Sequence, residues 1–292
     1  MPGAYDLPAD MPGFAEAQAE MSERSRETAT LPGAQFDVAY GSRPRQRLDV
    51  FPAGTGTPAH LFFRGGYWKL GEKEDRRFPA TAWVARGAAW IVPNYRLAPD
   101  SSLPDILEDA QSAFDWVISN AEACGIDSTR VHLSGNSAGA QLAAMVAARS
   151  GPEKVASLTL VSGLYDLQPL LDEAPNGWLN LDVETARAMS PVHNLPPPEL
   201  PVTVSCGGAE TEAFRLQSRE FAEALRAHGN PVDHFESPGR NHMEIITEFG
   251  TPGTPVFAAL ERHLGQRRNR PIANGDVAGH AGQNVPTRFR TS

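Results

Sequence analysis

The sequence predicts an α/β protein: a mostly parallel sheet of eight strands, helices on both of its faces and a small insertion above it. Two observations carry this. Short apolar runs alternate with helical patterns along most of the chain, which is the order that builds a parallel sheet through helical crossovers. One of those runs ends in Gly135-Asn136-Ser137-Ala138-Gly139 and passes at once into the helix formers Ala140-Gln141-Leu142-Ala143-Ala144-Met145, a sharp strand-to-helix turn.

Taken in order, residues 1–34 form an N-terminal arm in which Phe14 to Ser25, rich in Ala, Glu, Gln and Met, reads as a helix on the body without any site signal. Strands are expected at 35–39, 46–51, 59–63, 89–93, 130–134, 155–161, 201–206 and 231–236. Helices are expected at 74–86, 103–121, 138–149, 213–228 and 254–264. In the second of these, Leu103, Ile106, Leu107, Ala110, Phe114, Val117 and Ala121 recur at three- and four-residue spacing, so one stripe faces the sheet. Between about 166 and 200 the rhythm is broken by Pro169, Pro175, Pro191, Pro196, Pro197 and Pro198, and this stretch is expected as an excursion above the sheet, of the kind that forms lids. Residues 35–265 therefore make one domain. From about Gln266 the chain is rich in Gly, Asn, Arg and Pro without periodicity and reads as a mobile tail or docked arm.

Composition excludes several classes of function. The 292 residues are 41% hydrophobic, enough to bury a large core. Twenty-six basic against 35 acidic residues leave a net charge of −9, which argues against nucleic acid or an anionic membrane as partner. The two cysteines, Cys124 and Cys206, stand far apart without ligand-spaced partners, so neither a disulfide framework nor a metal site is expected, and a reducing compartment fits. Neither a leader nor an apolar run long enough to span a bilayer is found, and the expected location is cytoplasmic. No phosphate-cradling loop is paired with a lysine, so no cofactor is expected either.

The turn at Gly135–Gly139 is where chemistry enters. A turn this tight forces its serine into a strained backbone that only small neighbours permit, and lifts the hydroxyl above the carboxyl end of the sheet. A serine hydroxyl at neutral pH needs a base, itself oriented by a carboxylate, and on this scaffold both follow it in the chain. Of the eight histidines, His242 lies in the loop after the last expected strand, whereas His60, His132 and His234 lie inside strands and His193, His228, His263 and His280 in lid, helix or tail contexts. The acid belongs after the preceding strand, where Glu210 follows the Gly207-Gly208 turn directly. Glu212 starts the next helix, where it favours the helix dipole, and Asp166, one strand earlier, is the third candidate. A tetrahedral intermediate further needs N–H donors, and Gly65 and Gly66, straight after a strand, supply bare backbone that Ala138 complements. Tyr67 and Trp68 beside this loop, with Trp178 and Leu181 of the excursion, are candidates for the walls of an aromatic pocket.

These residues resemble the α/β-hydrolases, and within them the serine arylformamidases and the neighbouring hormone-sensitive-lipase-like esterases. The likeness runs from Tyr40-Gly41 and Gln46-Arg47-Leu48-Asp49-Val50 through Gly65-Gly66-Tyr67-Trp68 and Asn94-Tyr95-Arg96-Leu97-Ala98-Pro99 to Gly135–Gly139, Gln217-Ser218 and Asn241-His242. The Gly-Gly-Tyr-Trp run favours the formamidases, since the lipase-type esterases usually carry a third glycine there. Two positions depart from the pattern. The family's oxyanion motif opens with histidine and this chain has Arg64, which either braces the loop through backbone carbonyls or meets a substrate carboxylate. Glu210 stands where relatives often use aspartate.

The resulting expectation is a cofactor-independent serine hydrolase that cleaves a small N-formyl or N-acyl arylamine amide through an acyl-enzyme. A carboxylesterase for short-chain or aryl esters would use the same residues. A non-catalytic small-molecule binder on this scaffold is the reading from a different class; such proteins typically lose a triad member, and here all three positions are filled. The partner is a small, aromatic amide or ester, and a homo-oligomer is left open.

Overall fold

The computed structural model describes residues 3–7, 11–151 and 153–266. Eight strands form one sheet: β1 (Gln35–Ala39), β2 (Arg47–Phe51), β3 (Thr57–Phe63), β4 (Ala89–Pro93), β5 (Ile126–Asn136), β6 (Ser157–Val161), β7 (Val202–Gly207) and β8 (Val232–Ser237). Their order is β1-β2-β4-β3-β5-β6-β7-β8, with β1 and β2 antiparallel at one edge and β3 to β8 parallel. The chain thus leaves β3 for β4 on one side and returns to β5 on the other. That reversal opens a crevice at the carboxyl ends of β3 and β5, where ligands bind in open α/β sheets.

The helices are α1 (Phe14–Glu27), α2 (Ala80–Val84), α3 (Leu103–Ser119), α4 (Ala138–Ser150), α5 (Asn176–Leu179), α6 (Val183–Ala188), α7 (Glu212–His228) and α8 (Pro255–His263). Side chains alternate along each strand, so Leu61 and Phe63 of β3 join the core under α3, α4 and α7, while Phe62 joins Trp90, Phe249 and Phe257 on the face covered by α1, α2 and α8. Both faces are dry along β3, β4, β6 and β7, which is why these strands read as continuous apolar runs, while the edge strands are open to solvent, β1 largely and β8 in part.

All eight expected strands are present; β5 is longer than expected, because Ile126 already pairs with Thr57. The helix expected at 74–86 is a correction. It splits into a 3₁₀ turn, Lys73–Arg76, and α2, since Pro79 lacks an N–H and disfavours helical backbone at Phe78 before it. The excursion of 166–200 folds into a 3₁₀ turn, Gln168–Asp172, then α5, α6 and a second 3₁₀ turn, Pro191–His193. Its Leu170, Leu179 and Ala186 are buried in the main core, and Gln141 of α4 donates to the Met189 carbonyl at 2.8 Å. The expected C-terminal tail lies, Gln266 apart, outside the described residues.

Candidate active site

Ser137 stands between the last residue of β5 and the first of α4 with φ 54° and ψ −126°, a strained conformation for a residue with a side chain. The flanking glycines permit it: a Cβ on Gly139 would lie 1.9 Å from the Phe63 carbonyl oxygen, and one on Gly135 would lie 2.3 Å from that of Gly139. The Ser137 N–H is held by the Val161 carbonyl at 2.8 Å, so the turn is tied to the next strand.

After β8 the chain turns back over the sheet at Asn241. The Asn241 side-chain oxygen accepts the N–H groups of Met243 and Glu244, each at 2.9 Å, and the Glu244 carboxylate accepts the Asn241 N–H at 3.0 Å. This reciprocal turn presents His242, whose ring packs 4.4 Å from that of Phe214 on α7. His242 Nδ1 lies 2.7 Å from Glu210 Oε2. A carboxylate only accepts, so Nδ1 carries the proton and Nε2 is left as the basic nitrogen. Glu210 is buried and accepts two further bonds, from the Gly207 N–H at 2.6 Å and from the Ser162 hydroxyl. The other two carboxylates are engaged elsewhere. Asp166 accepts the Gln168 N–H at 3.0 Å, and Glu212 is ion-paired to Arg215 and Arg219 on the surface of α7.

The loop after β3 is unusual in its backbone. Gly66 has φ 119°, and a Cβ there would lie 2.2 Å from the Leu70 carbonyl oxygen. Tyr67 and Trp68 follow with φ 48° and 54°. The Gly65 N–H is already taken by the Asn136 side-chain oxygen at 3.0 Å, which ties this loop to the serine turn. Arg64 is buried. Its Nη1 donates to the carbonyls of Leu70 at 2.5 Å and Gly65 at 3.2 Å, and its guanidinium lies 4.4 Å from the Tyr95 ring centroid, with the Tyr95 hydroxyl returning a bond to the Arg64 carbonyl at 2.6 Å. Of the two roles the sequence leaves open, these contacts are those of a brace.

Ser137, His242, Gly65, Gly66 and Tyr67 line one cavity of about 350 Å³, together with Leu7, Phe14, Gln18, Leu70, Asp75, Arg76, Asn136, Met243 and Ile246. Arg64, Trp68 and Trp178, expected as substrate contacts, are not among the residues that line this cavity. Trp68 is fully buried, with its indole N–H on Gln141 at 3.1 Å, and Trp178 supports the loop from behind by donating to the Tyr67 carbonyl at 3.1 Å. Sequence reasoning missed the arm. Tyr5 is buried, its carbonyl accepts the Tyr67 hydroxyl, and its own hydroxyl accepts from Gln217 at 3.0 Å. Leu7 and Phe14 close the cavity. The one available signal was the helical spacing of Phe14, Ala17 and Met21, which says that a face is buried and not where.

Among the described residues, no group of three or more His, Cys, Asp or Glu side chains gathers to hold a metal ion, and no helix is long and apolar enough to cross a membrane.

Fold and site together define a serine-hydrolase-type α/β-hydrolase, and comparison with known proteins agrees. A family model described as alpha/beta hydrolase fold matches residues 60–191. The kynurenine formamidase of Danio rerio is 30% identical over 241 residues, 78% of this chain and 80% of that protein, and that of Salmo salar is 29% identical with the same coverage. Among solved structures, a Silicibacter protein aligns with TM-score 0.76 at 28% identity over 88% of this chain and 97% of its own. The carboxylesterase EstE1 from a metagenomic library shares the fold at TM-score 0.68 and 20% identity, over 86% of this chain and 97% of its own. The chain belongs to the α/β-hydrolase enzymes, in the group that joins the arylformamidases to the hormone-sensitive-lipase-like esterases.

Proposed function

We propose that this protein hydrolyses a small N-formyl or N-acyl arylamine through an acyl-enzyme on Ser137, with His242 as base and Glu210 orienting it. The observation that carries the reading is the Glu210 carboxylate 2.7 Å from His242 Nδ1, with His242 on the same cavity wall as the strained Ser137. His242 Nε2 takes the hydroxyl proton as Ser137 Oγ bonds to the substrate carbonyl carbon. The oxyanion that forms is met by the N–H groups of Gly66 and Ala138, fixed in advance by the bracing of Arg64 and Asn136. Collapse breaks the bond to nitrogen, and the histidine passes its proton to the departing amine. Water activated by the same nitrogen then frees the acid, and no step calls on a cofactor. The formamidase relatives favour an amide substrate.

A carboxylesterase is the second reading, favoured by the isoprenylcysteine alpha-carbonyl methylesterase of Arabidopsis thaliana, 24% identical over 72% of this chain and 57% of that protein. A fluorophosphonate probe followed by mass mapping tests the nucleophile, with label expected on Ser137. Rates on N-formyl anilines, N-acetyl anilines and p-nitrophenyl esters then rank the substrate classes. Label on another residue, or none, overturns the mechanism; esters turned over far faster than every amide give the second reading.

A further inference from the structure

The cavity at Ser137 contains a group that a neutral anilide or ester does not ask for, a guanidinium. Arg76 ends the 3₁₀ turn Lys73–Arg76 and lines the cavity beside Leu70 and Asp75. Its neighbour Arg77 is neutralised by Asp49 at 2.6 Å and Glu74 at 3.3 Å. Arg76 differs: among the described residues no carboxylate oxygen lies within 4 Å of its guanidinium nitrogens. Its Nη1 donates to the Asp75 carbonyl at 3.0 Å, and its Nε is buried without any partner.

The charges around it deepen the mismatch. Burial presses the Arg76 pKa down to about 10, and the nearby Arg64 cation, whose Nη2 is also buried and unpartnered, adds to the effect. Asp75, which lines the cavity but makes no ion pair with the guanidinium, is the carboxylate whose charge bears on Arg76, and Glu72, near Arg64, is spent on Arg45 at 2.8 Å and on the Asn94 side chain at 2.8 Å. A planar guanidinium on the wall of the nucleophile's cavity, where Leu7, Phe14, Leu70, Met243 and Ile246 supply apolar surface and Gln18, Asp75 and Asn136 the other polar groups, matches a carboxylate, which takes two parallel N–H bonds.

We propose that Arg76 determines specificity by holding a carboxylate on the substrate while the scissile carbonyl lies at Ser137, an inference that rests on the hydrolase reading above. The carboxylate clamp that the sequence offers to Arg64 thereby moves twelve positions along the chain, from a buried brace to a cavity wall.

Isosteric pairs test it in two arms. Calorimetric titration with 4-hydroxybenzoate and 4-hydroxybenzamide reads binding without turnover, and hydrolysis of 4-acetoxybenzoate and 4-acetoxybenzamide reads kcat/KM. The wild-type protein is expected to prefer the anion by about ten- to hundredfold in both, and Arg76→Gln to abolish that preference while circular dichroism shows a folded protein. Should the glutamine variant not fold, Arg76→Lys decides, since an ammonium in place of the fork lowers the preference at least roughly threefold. No preference for the anion in the wild type, a preference that survives in folded Arg76→Gln, or a lysine variant equal to wild type overturns the inference. Absent turnover of both esters with the binding preference intact would instead overturn the hydrolase reading and leave the anion site standing.

Discussion

At Glu210 a single carboxylate accepts three hydrogen bonds in the dry interior, and the imidazole is one of the three donors. Under the proposed mechanism Glu210→Gln loses both the tautomer control and the charge that stabilises the imidazolium, so kcat should fall by about 10³ to 10⁴. Glu212→Gln, at an exposed helix start, should change kcat by less than about twofold; a larger effect from Glu212 than from Glu210 would refute the assignment. Ser137→Ala and His242→Ala should each lose about 10⁴ to 10⁶ in kcat, and the double variant little more, because the two act as a unit. Gly139→Ala tests the turn itself. Its methyl would sit 1.9 Å from the Phe63 oxygen, so the variant should lose fluorophosphonate labelling and at least about 2 kcal/mol of stability, read by urea unfolding.

The element that most governs the site is the loop after β3. It carries consecutive positive φ values at Gly66, Tyr67 and Trp68, and such backbone persists only where its surroundings hold it. Arg64 holds it from within, Asn136 from the serine turn, and Trp178 from the excursion. Arg64→His should therefore act on kcat for neutral and anionic substrates in parallel, either lowering both or leaving both as they are if the imidazole restores the brace. A selective rise in KM for the anionic substrate would return the carboxylate clamp to Arg64. The helix α1 acts as a wall instead of a brace. Phe14→Ala removes a ring from the cavity, and KM for aromatic substrates should rise about three- to thirtyfold with kcat nearly constant, in line with roughly 1–2 kcal/mol of lost apolar contact.

At the scale of the whole fold, His60, His132 and His263 lie buried outside the site among the described residues. His60 and His132 are register partners on β3 and β5, their rings 5.4 Å apart, and His263 on α8 meets Thr159 Oγ1 at 3.2 Å. Burial lowers the pKa of His60 to about 3 and of His263 to about 4, and holds His132 well below its usual value. A histidine depressed in the folded state takes up its proton more readily once unfolded. Stability is therefore complete above the ordinary value of 6.5 and falls as the pH drops from there toward 4 and 3, by up to about 1.4 kcal/mol per pH unit for each group. Urea unfolding at pH 7, 6 and 5 should show this decline. Replacing His60 by phenylalanine should flatten it, and an unchanged slope would show that His60 is not among its causes.

The sequence by itself determined the eight strands and their order along the chain, because the inner strands are covered on both faces and read as continuous apolar runs, whereas the split of 74–86 and the short helices of the excursion were not read from it. It also determined the serine turn, since local sterics at Gly135 and Gly139 dictate that conformation wherever the sheet places it. His242 was legible from its place after the last strand. The choice among Glu210, Glu212 and Asp166 was not, because three carboxylates within reach along the chain differ only in what each meets in space: an imidazole, two surface arginines, or a backbone N–H. The choice between the two roles open to Arg64 was not legible for the same reason, and Arg76 carried no signal at all. Arginine's long stem lets its charge settle far from its backbone, so a residue beside the oxyanion loop turned inward to carbonyl oxygens while one twelve positions later reached the cavity. Only the tertiary structure decided, too, that the arm covers the site, since an amphipathic helix declares that one face is buried and leaves open which surface it will meet.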